Sequence, residues 1–127
     1  MGNQSLNPLK NALASLEKAI LRPLDEFTQD SVIQRFEYTF ELSWKNLKRY
    51  LESDRSLQDD SVKGIFREAF ARHLISDIEQ WFAFQKARNL TSHTYNQDTA
   101  EEVYKEAIKL PLLCHELINK LEKKLLK

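Results

Sequence analysis

The sequence predicts an all-α protein that folds as an antiparallel up-and-down bundle of about five helices. Several long stretches place apolar residues at steps of three and four, the spacing that collects them on one face of a helix. No stretch sustains the alternation typical of a strand, and no Asn-Gly or Asp-Gly pair marks a hairpin turn. The connections between helical stretches are short, which indicates that consecutive helices pack side by side.

The first helix is predicted to begin near Asn7, a residue that can cap it. Pro8 then takes the first helical position, where a missing N–H is tolerated. Pro23 ends this helix, and residues 25–30 are polar enough to be predicted as a connection. The apolar stripe of the first helix consists of Leu9, Leu13, Leu16 and Ile20.

The second helix has the clearest pattern in the chain. Asp30 or Ser31 is predicted to cap it, because Ser31 and Gln34 have the spacing of a capping box. Its core face consists of Ile33, Phe36, Phe40, Trp44, Leu47 and Leu51. The opposite side is predicted to be a solvated charged face and carries Arg35, Glu37, Glu41, Lys45 and Lys48.

A third and a fourth helix follow a polar loop. The third is predicted over residues 61–73, and its apolar residues are Val62, Ile65, Phe66, Ala69 and Phe70. Ser76 and Glu79 form a second capping box, which opens a fourth helix that runs to Leu90 or Thr91. The six aromatic residues Phe36, Phe40, Trp44, Phe66, Phe70 and Phe82 are at helical spacing and are predicted to lie in the core.

The final helix is long and is predicted to be kinked. Thr99 and Glu102 form the capping box that starts it, and Pro111 removes one helical hydrogen bond within it. Its apolar stripe consists of Val103, Ala107, Leu110, Leu113 or Cys114, Leu117, Leu121 and Leu125. Cys114, the only cysteine, is therefore predicted to be a buried, inert thiol.

Length and charge limit the classes of function. A chain of 127 residues is predicted to form one domain, residues 1–127. It has no apolar run near the roughly 20 residues of a membrane span and no signal-like N-terminus, so a cytoplasmic location is expected. Lys plus Arg and Asp plus Glu both number 19, so the net charge is zero. Any RNA contact must therefore come from a local patch.

No metal or cofactor is expected from the sequence. His73 and His115 have no second histidine with a Cys, Asp or Glu at ligand spacing. Both are therefore predicted to have structural roles.

Residues 86–95 concentrate the side chains that bind phosphate or act on RNA: a cation, an amide, hydroxyls, an imidazole and a phenol. Arg88 and His93 are five residues apart, which separates them by roughly 140° on a regular helix. Either the helix ends between them, or the two meet across a two-fold dimer axis. Trp81 shares the side of the helix on which Arg88 lies, so part of that face is predicted to be apolar enough for a subunit interface.

These side chains fit metal-free cleavage of RNA. Histidine exchanges protons near neutral pH, so His93 can take the proton of a 2′-hydroxyl, while Arg88 holds the phosphate. Asn89, Thr91 or Ser92 can orient that phosphate.

A purely structural interpretation is also open. In that interpretation, Arg88 pairs with a carboxylate such as Asp77 or Glu79, and His93 caps a helix end. One arginine and one histidine are a weak motif, and spacing alone favours this structural interpretation.

The string from Arg88 to Tyr95 has the form R-N-x-x-x-H-x-Y and resembles the R-x4-H-x-Y motif of HEPN domains. More closely, the chain resembles the HepT-like group of that family, also described as nucleotidyltransferase substrate-binding proteins. Residues 33–45 and residues 67–77 resemble two further segments of the same group. The resemblance covers most of the chain from about residue 12 onward.

This resemblance implies a helical bundle that is usually dimeric and is encoded beside a minimal nucleotidyltransferase. It further implies an RNase toxin, with the nucleotidyltransferase as an antitoxin that attaches AMP to a tyrosine. By the motif, Arg88 and His93 are the catalytic pair and Tyr95 is the modified residue. Asn89 and Asp77 are supporting residues.

Two functional hypotheses therefore remain. The first is a metal-independent RNase toxin whose dimer cleft holds two sets of Arg88 and His93. The second is a non-catalytic subunit that presents a substrate to its nucleotidyltransferase partner. The intact motif, with both His93 and Tyr95, favours the first, whereas the neutral net charge favours the second. The family often has a glycine where this chain has His73, so a glycine cap is not available there.

Overall fold

The computed structural model of the protein describes residues 4–126 and contains no strand within that range. Its elements are α1 (Asn7–Ile20), α2 (Glu26–Asp54), α3 (Val62–Ala71), α4 (Ile78–Asn89), a 3-10 turn (Thr91–His93), α5 (Gln97–Ala107) and α6 (Leu110–Leu125). The two last helices are the halves of the predicted final helix. Counted in that way, the prediction of an all-α bundle of about five helices with a bent last helix is confirmed.

The central element is α2, which has 29 residues and is about 43 Å long. It packs against each of the other five helices. An aromatic cluster joins it to α3 and α4, with ring centroids 5.2–6.4 Å apart. The cluster consists of Phe36, Phe40, Phe66, Trp81 and Phe84, which are all buried. The bundle is therefore built around one helix, and the candidate site residues are placed relative to it.

The start of α2 differs from the prediction. The helix begins at Glu26, because the Asp25 carboxylate accepts a hydrogen bond from the Thr28 N–H at 2.8 Å and caps it. Residues 25–30, predicted to be a connection, are thus the cap and first turns of α2. The prediction was wrong because this turn is polar in sequence, although Thr28 and Gln29 are buried in the fold.

The cap of α4 also differs from the prediction. Asp77, one residue after the predicted Ser76, accepts a hydrogen bond from the Gln80 N–H at 3.1 Å. The Ser76 hydroxyl instead donates to Glu116 of α6 at 2.7 Å. This contact joins residues 40 positions apart, so local spacing could not indicate it.

The bend in the last helix is a break of two residues, Ile108 and Lys109. Pro111 has no N–H to donate to the carbonyl of Ala107, the last residue of α5, so the helix cannot continue regularly through it. Asn96, rather than Thr99, caps α5 and accepts the Thr99 N–H at 3.1 Å.

Several predicted core positions are confirmed and others are wrong. Cys114 is fully buried, and its burial raises the pKa of its thiol to about 12, as expected of an inert thiol. Phe70 is 44% exposed, so its prediction as a core residue is wrong. Trp44 and Phe82 are half-buried and pack against the edge of the core. Trp81 is fully buried, so it offers no surface to a second subunit.

None of the helices within residues 4–126 combines the length and the apolar character needed to cross a bilayer.

Candidate functional site

The site predicted from sequence lies where α4 ends. The helix stops at Asn89, and the 3-10 turn follows, in which the His93 N–H donates to the Leu90 carbonyl at 2.9 Å. Two hydroxyls stabilise this ending: Thr91 Oγ1 donates to the Arg88 carbonyl at 2.8 Å, and Thr94 Oγ1 donates to the Thr91 carbonyl at 3.2 Å. The helix therefore ends between Arg88 and His93.

Arg88 makes two ion pairs with α2. Its Nε donates to Glu41 Oε2 at 3.0 Å, and its Nη2 lies 3.5 Å from Glu37 Oε2. The two carboxylates are one helical turn apart and would repel each other without the guanidinium between them. This face of α2 is therefore not simply a solvated charged face, because Arg88 packs on it.

The ion pairs fix the position of Arg88 but do not engage all of its N–H donors. Its side chain is 32% exposed, and pairs of this exposure contribute about 1 kcal/mol or less each. A guanidinium carries five N–H donors, and Nε and Nη2 are the two nitrogens engaged here. Arg88 thus keeps donors for a further anion.

His93 and Tyr95 lie on the exposed side of the turn. Their ring centroids are 6.0 Å apart and their planes meet at 73°, an edge-to-face contact. The Tyr95 side chain is 86% exposed, so its phenol is accessible to a large partner. The structure thus presents an imidazole and a phenol together at one end of the bundle.

Asn89 is the last residue of α4 and is exposed beside this group. Asp77 is not brought there. It caps the opposite end of α4, about 16 Å along the helix from Arg88. The same distance excludes Asp77 as the ion-pair partner of Arg88, and Glu79 lies in the same distant turn.

Two residues of the site were missed by sequence reasoning. Glu37 and Glu41 contact Arg88 across 51 and 47 positions of the chain, respectively, and only the fold brings them together. A signal was available: two carboxylates four residues apart on one helix favour a cation between them.

Residues 4–123 match a family described as nucleotidyltransferase substrate binding protein like. A curated relative from Haemophilus influenzae, named probable ribonuclease HepT, is 39% identical, and the match covers 79% of this chain and 80% of the relative.

Two solved structures share the fold. One, from Haemophilus influenzae, is described as revealing the fold of a substrate binding domain of a nucleotidyltransferase. It is 34% identical, has a TM-score of 0.83, and matches 93% of this chain and 99% of its own. The other, from Thermus thermophilus, is also 34% identical, with a TM-score of 0.81 and coverage of 89% and 98%.

Proposed function

The chain belongs to the nucleotidyltransferase substrate binding protein-like family, and we propose that it is a HepT-like toxin that cleaves RNA without a metal ion. Its partner is a minimal nucleotidyltransferase, which neutralises it by attaching AMP to Tyr95. One observation carries this proposal: the end of α4 holds Arg88 on α2 and leaves His93 exposed in the adjoining turn. The name of the curated relative from Haemophilus influenzae supports the same activity.

In the proposed reaction, His93 accepts the proton of a 2′-hydroxyl. The 2′-oxygen then forms a bond to the adjacent phosphorus, the bond from phosphorus to the 5′-oxygen breaks, and the imidazolium returns a proton to that leaving oxygen. Arg88 stabilises the negative charge that builds on the phosphoryl oxygens. The products are a 2′,3′-cyclic phosphate and a 5′-hydroxyl.

The carboxylates of Glu37 and Glu41 act as positioning residues. They orient the guanidinium of Arg88 before RNA binds, and a phosphate then takes the donors that the carboxylates leave free. Two copies of this end, related by a two-fold axis, form the cleft in which the strand is held.

Neutralisation follows from the position of Tyr95. Its phenolic oxygen attacks the α-phosphorus of ATP, pyrophosphate leaves, and the phenolic proton passes to solvent. The attached AMP adds bulk and negative charge two residues from His93. RNA is then excluded by steric overlap and by repulsion of its phosphates.

The proposal is tested by incubating the unmodified protein with cellular RNA in EDTA. We expect cleavage by the wild type and a loss of at least about a hundredfold in His93→Ala and Arg88→Ala. The matched controls are His115→Ala and Arg49→Ala, which remove an exposed histidine and an exposed arginine that both lie outside residues 86–95. Both controls should cleave like the wild type.

A second candidate is a non-catalytic subunit that presents a substrate to the nucleotidyltransferase. The ion pairs of Arg88 with two carboxylates favour it, because they leave the local charge negative in a chain of zero net charge. If the wild type leaves RNA intact while its mass shows no AMP, the ribonuclease proposal is wrong and this candidate replaces it.

A further inference from the structure

A polar groove lies between the end of α1 and the start of α2, and we refer to it as the α1–α2 groove. Its volume is about 560 Å³, within the range of small-molecule sites. It opens on the side of α2 that faces α1, whereas Arg88 packs on the side that faces α4. Its polar and aromatic lining includes Ser15, Lys18, Arg22, Phe27, Ser31 and Arg35.

Helical spacing places the polar residues of this groove in two facing stripes. On α1, Ser15 and Lys18 are followed by Arg22 in the turn, where the Arg22 N–H still donates to the Ala19 carbonyl at 3.2 Å. On α2, Ser31 and Arg35 are one turn apart. The groove exists because α2 begins at Glu26, so its first turns pack against α1.

Arg35 is the most informative residue of the groove. Its Nε donates to Ser15 Oγ at 2.9 Å, and its Nη1 donates to Ser31 Oγ at 2.6 Å. These two hydroxyls are neutral, and no carboxylate of residues 4–126 forms an ion pair with this guanidinium. Arg35 is therefore a half-buried cation that two side chains hold in place but do not neutralise.

The other half-buried arginines of the described chain show the contrast. Arg72 pairs with Asp54 and Glu68, and Arg88 pairs with two glutamates. In this protein, a partly desolvated arginine thus has two carboxylate partners, except at the groove. An anion bound in the groove would supply the missing partner of Arg35.

The surroundings favour a phosphate over a simple carboxylate. Lys18 and Arg22 add two cations, while the one carboxylate of the lining, Asp25, already accepts the Thr28 N–H. The lining therefore carries a net charge of +2 (three cations and one anion) in a chain whose net charge is zero. Phe27 lines the same groove and is 81% exposed, which suits the stacking of a nucleic-acid base.

We propose that the α1–α2 groove binds a nucleoside phosphate. Lys18, Arg22 and Arg35 bind the phosphate, and Phe27 stacks on the base. The ligand is either a free nucleotide or the corresponding unit of an RNA strand. This groove is separate from Arg88 and His93, so the proposal does not depend on RNA cleavage.

The test uses the full chain and two probes. ATP is titrated by calorimetry, and a labelled oligoribonucleotide of about eight residues is titrated by fluorescence anisotropy. The oligonucleotide is 2′-O-methylated throughout, so the proposed reaction cannot cleave it. The variant is Lys18→Gln with Arg22→Gln, two exposed side chains that make no ion pair within residues 4–126. The control, Arg49→Gln with Lys123→Gln, removes the same charge from exposed positions outside the groove.

We expect at least one probe to bind, and the groove variant to weaken that binding about tenfold and lower its salt dependence. The control should change it less than about threefold, because its two charges lie outside the groove. Phe27→Ala should weaken the binding of ATP, because the base loses its stacking partner. It should leave the affinity for inorganic phosphate, measured by competition, unchanged. Binding of ATP alone identifies a free nucleotide as the ligand, and binding of the oligonucleotide alone identifies an RNA strand.

Two results would overturn the proposal. One is the absence of binding by the wild type to both probes at about millimolar concentration, the weak end of the affinity scale. The other is equal weakening by the groove variant and the control, which would indicate non-specific attraction to surface charge. Circular dichroism of each variant verifies that it is folded.

Discussion

At the scale of single residues, His73 shows how the fold tolerates local strain. Among residues 4–126, it is the non-glycine residue with a positive φ, at 62°. Its N–H donates to the Phe70 carbonyl at 3.1 Å, and the Leu74 N–H donates to the Ala69 carbonyl at 2.9 Å. These two bonds form a Schellman motif, which ends α3 with His73 in the position that usually holds glycine.

This conformation predicts that His73→Gly stabilises the protein. A left-handed residue with a side chain costs roughly 1 kcal/mol more than glycine, so the free energy of unfolding should rise by about 0.5–1 kcal/mol. Urea denaturation of both proteins measures this difference. The control, Ala71→Gly, replaces an exposed residue in the last turn of α3 and should lower stability. A less stable His73→Gly protein would contradict the assignment of strain to this residue.

Only some residues of the candidate site could be predicted from the sequence. Arg88, His93 and Tyr95 could be named as candidates because they lie within eight consecutive residues. Glu37 and Glu41 were not assigned to the site, because their contact with Arg88 depends on how α4 packs on α2. Asp77 was placed at the site from the family segment, although its own helix holds it at the far end.

At the scale of elements, the start of α2 matters because it creates the α1–α2 groove. Asp25 holds this start, and the hydrogen bond from the Thr28 N–H lowers the pKa of its carboxyl below the ordinary value of 3.8. The charged carboxylate is therefore the form that caps the helix. A group with a lowered pKa in the folded state stabilises the protein above its ordinary pKa, and this contribution is lost as the pH falls through the lowered value.

We therefore predict that Asp25→Asn removes part of the acid sensitivity of the protein. An asparagine amide oxygen can still cap α2, but it does not titrate. The denaturation midpoint of wild type and variant should differ least where the pH is lowest. As the pH is raised through 3.8, the wild type should gain more stability than the variant. Parallel curves over this range would show that Asp25 does not contribute to the pH dependence.

The starts of the helices show how well local sequence patterns predict a helix boundary. The start of α3 was predicted to within one residue, because Ser61 directly precedes the apolar pattern. Ser61 is the cap of this helix and accepts the Gly64 N–H at 3.1 Å. The start of α2 was missed because its first turn has no apolar stripe. The predicted caps of α4 and α5, Ser76 and Thr99, differ from the observed caps, Asp77 and Asn96. In both cases a nearby serine or threonine has the right spacing, but another residue has the backbone position of the cap.

At the scale of the whole molecule, α2 separates two polar regions with different chemistry. On the α4 side, Arg88 is balanced by two carboxylates next to His93 and Tyr95. On the α1 side, Arg35 lies in a groove of positive charge. Zero net charge thus conceals a local patch of the kind that RNA contact requires. The apolar periodicity of the sequence was enough to predict the helical bundle. The separation of the two polar regions by α2 could not be predicted, because it depends on how the helices pack.

The most direct test of the proposed ribonuclease is the chemistry of the cut ends. A synthetic RNA is incubated in EDTA with the wild type, and its products are analysed by mass spectrometry. We expect 2′,3′-cyclic phosphate and 5′-hydroxyl ends. We expect no cut where a single 2′-hydroxyl is replaced by hydrogen, and no cut by His93→Ala. Cutting at the 2′-deoxy position, or equal cutting by His93→Ala, would contradict the roles of the 2′-hydroxyl and His93.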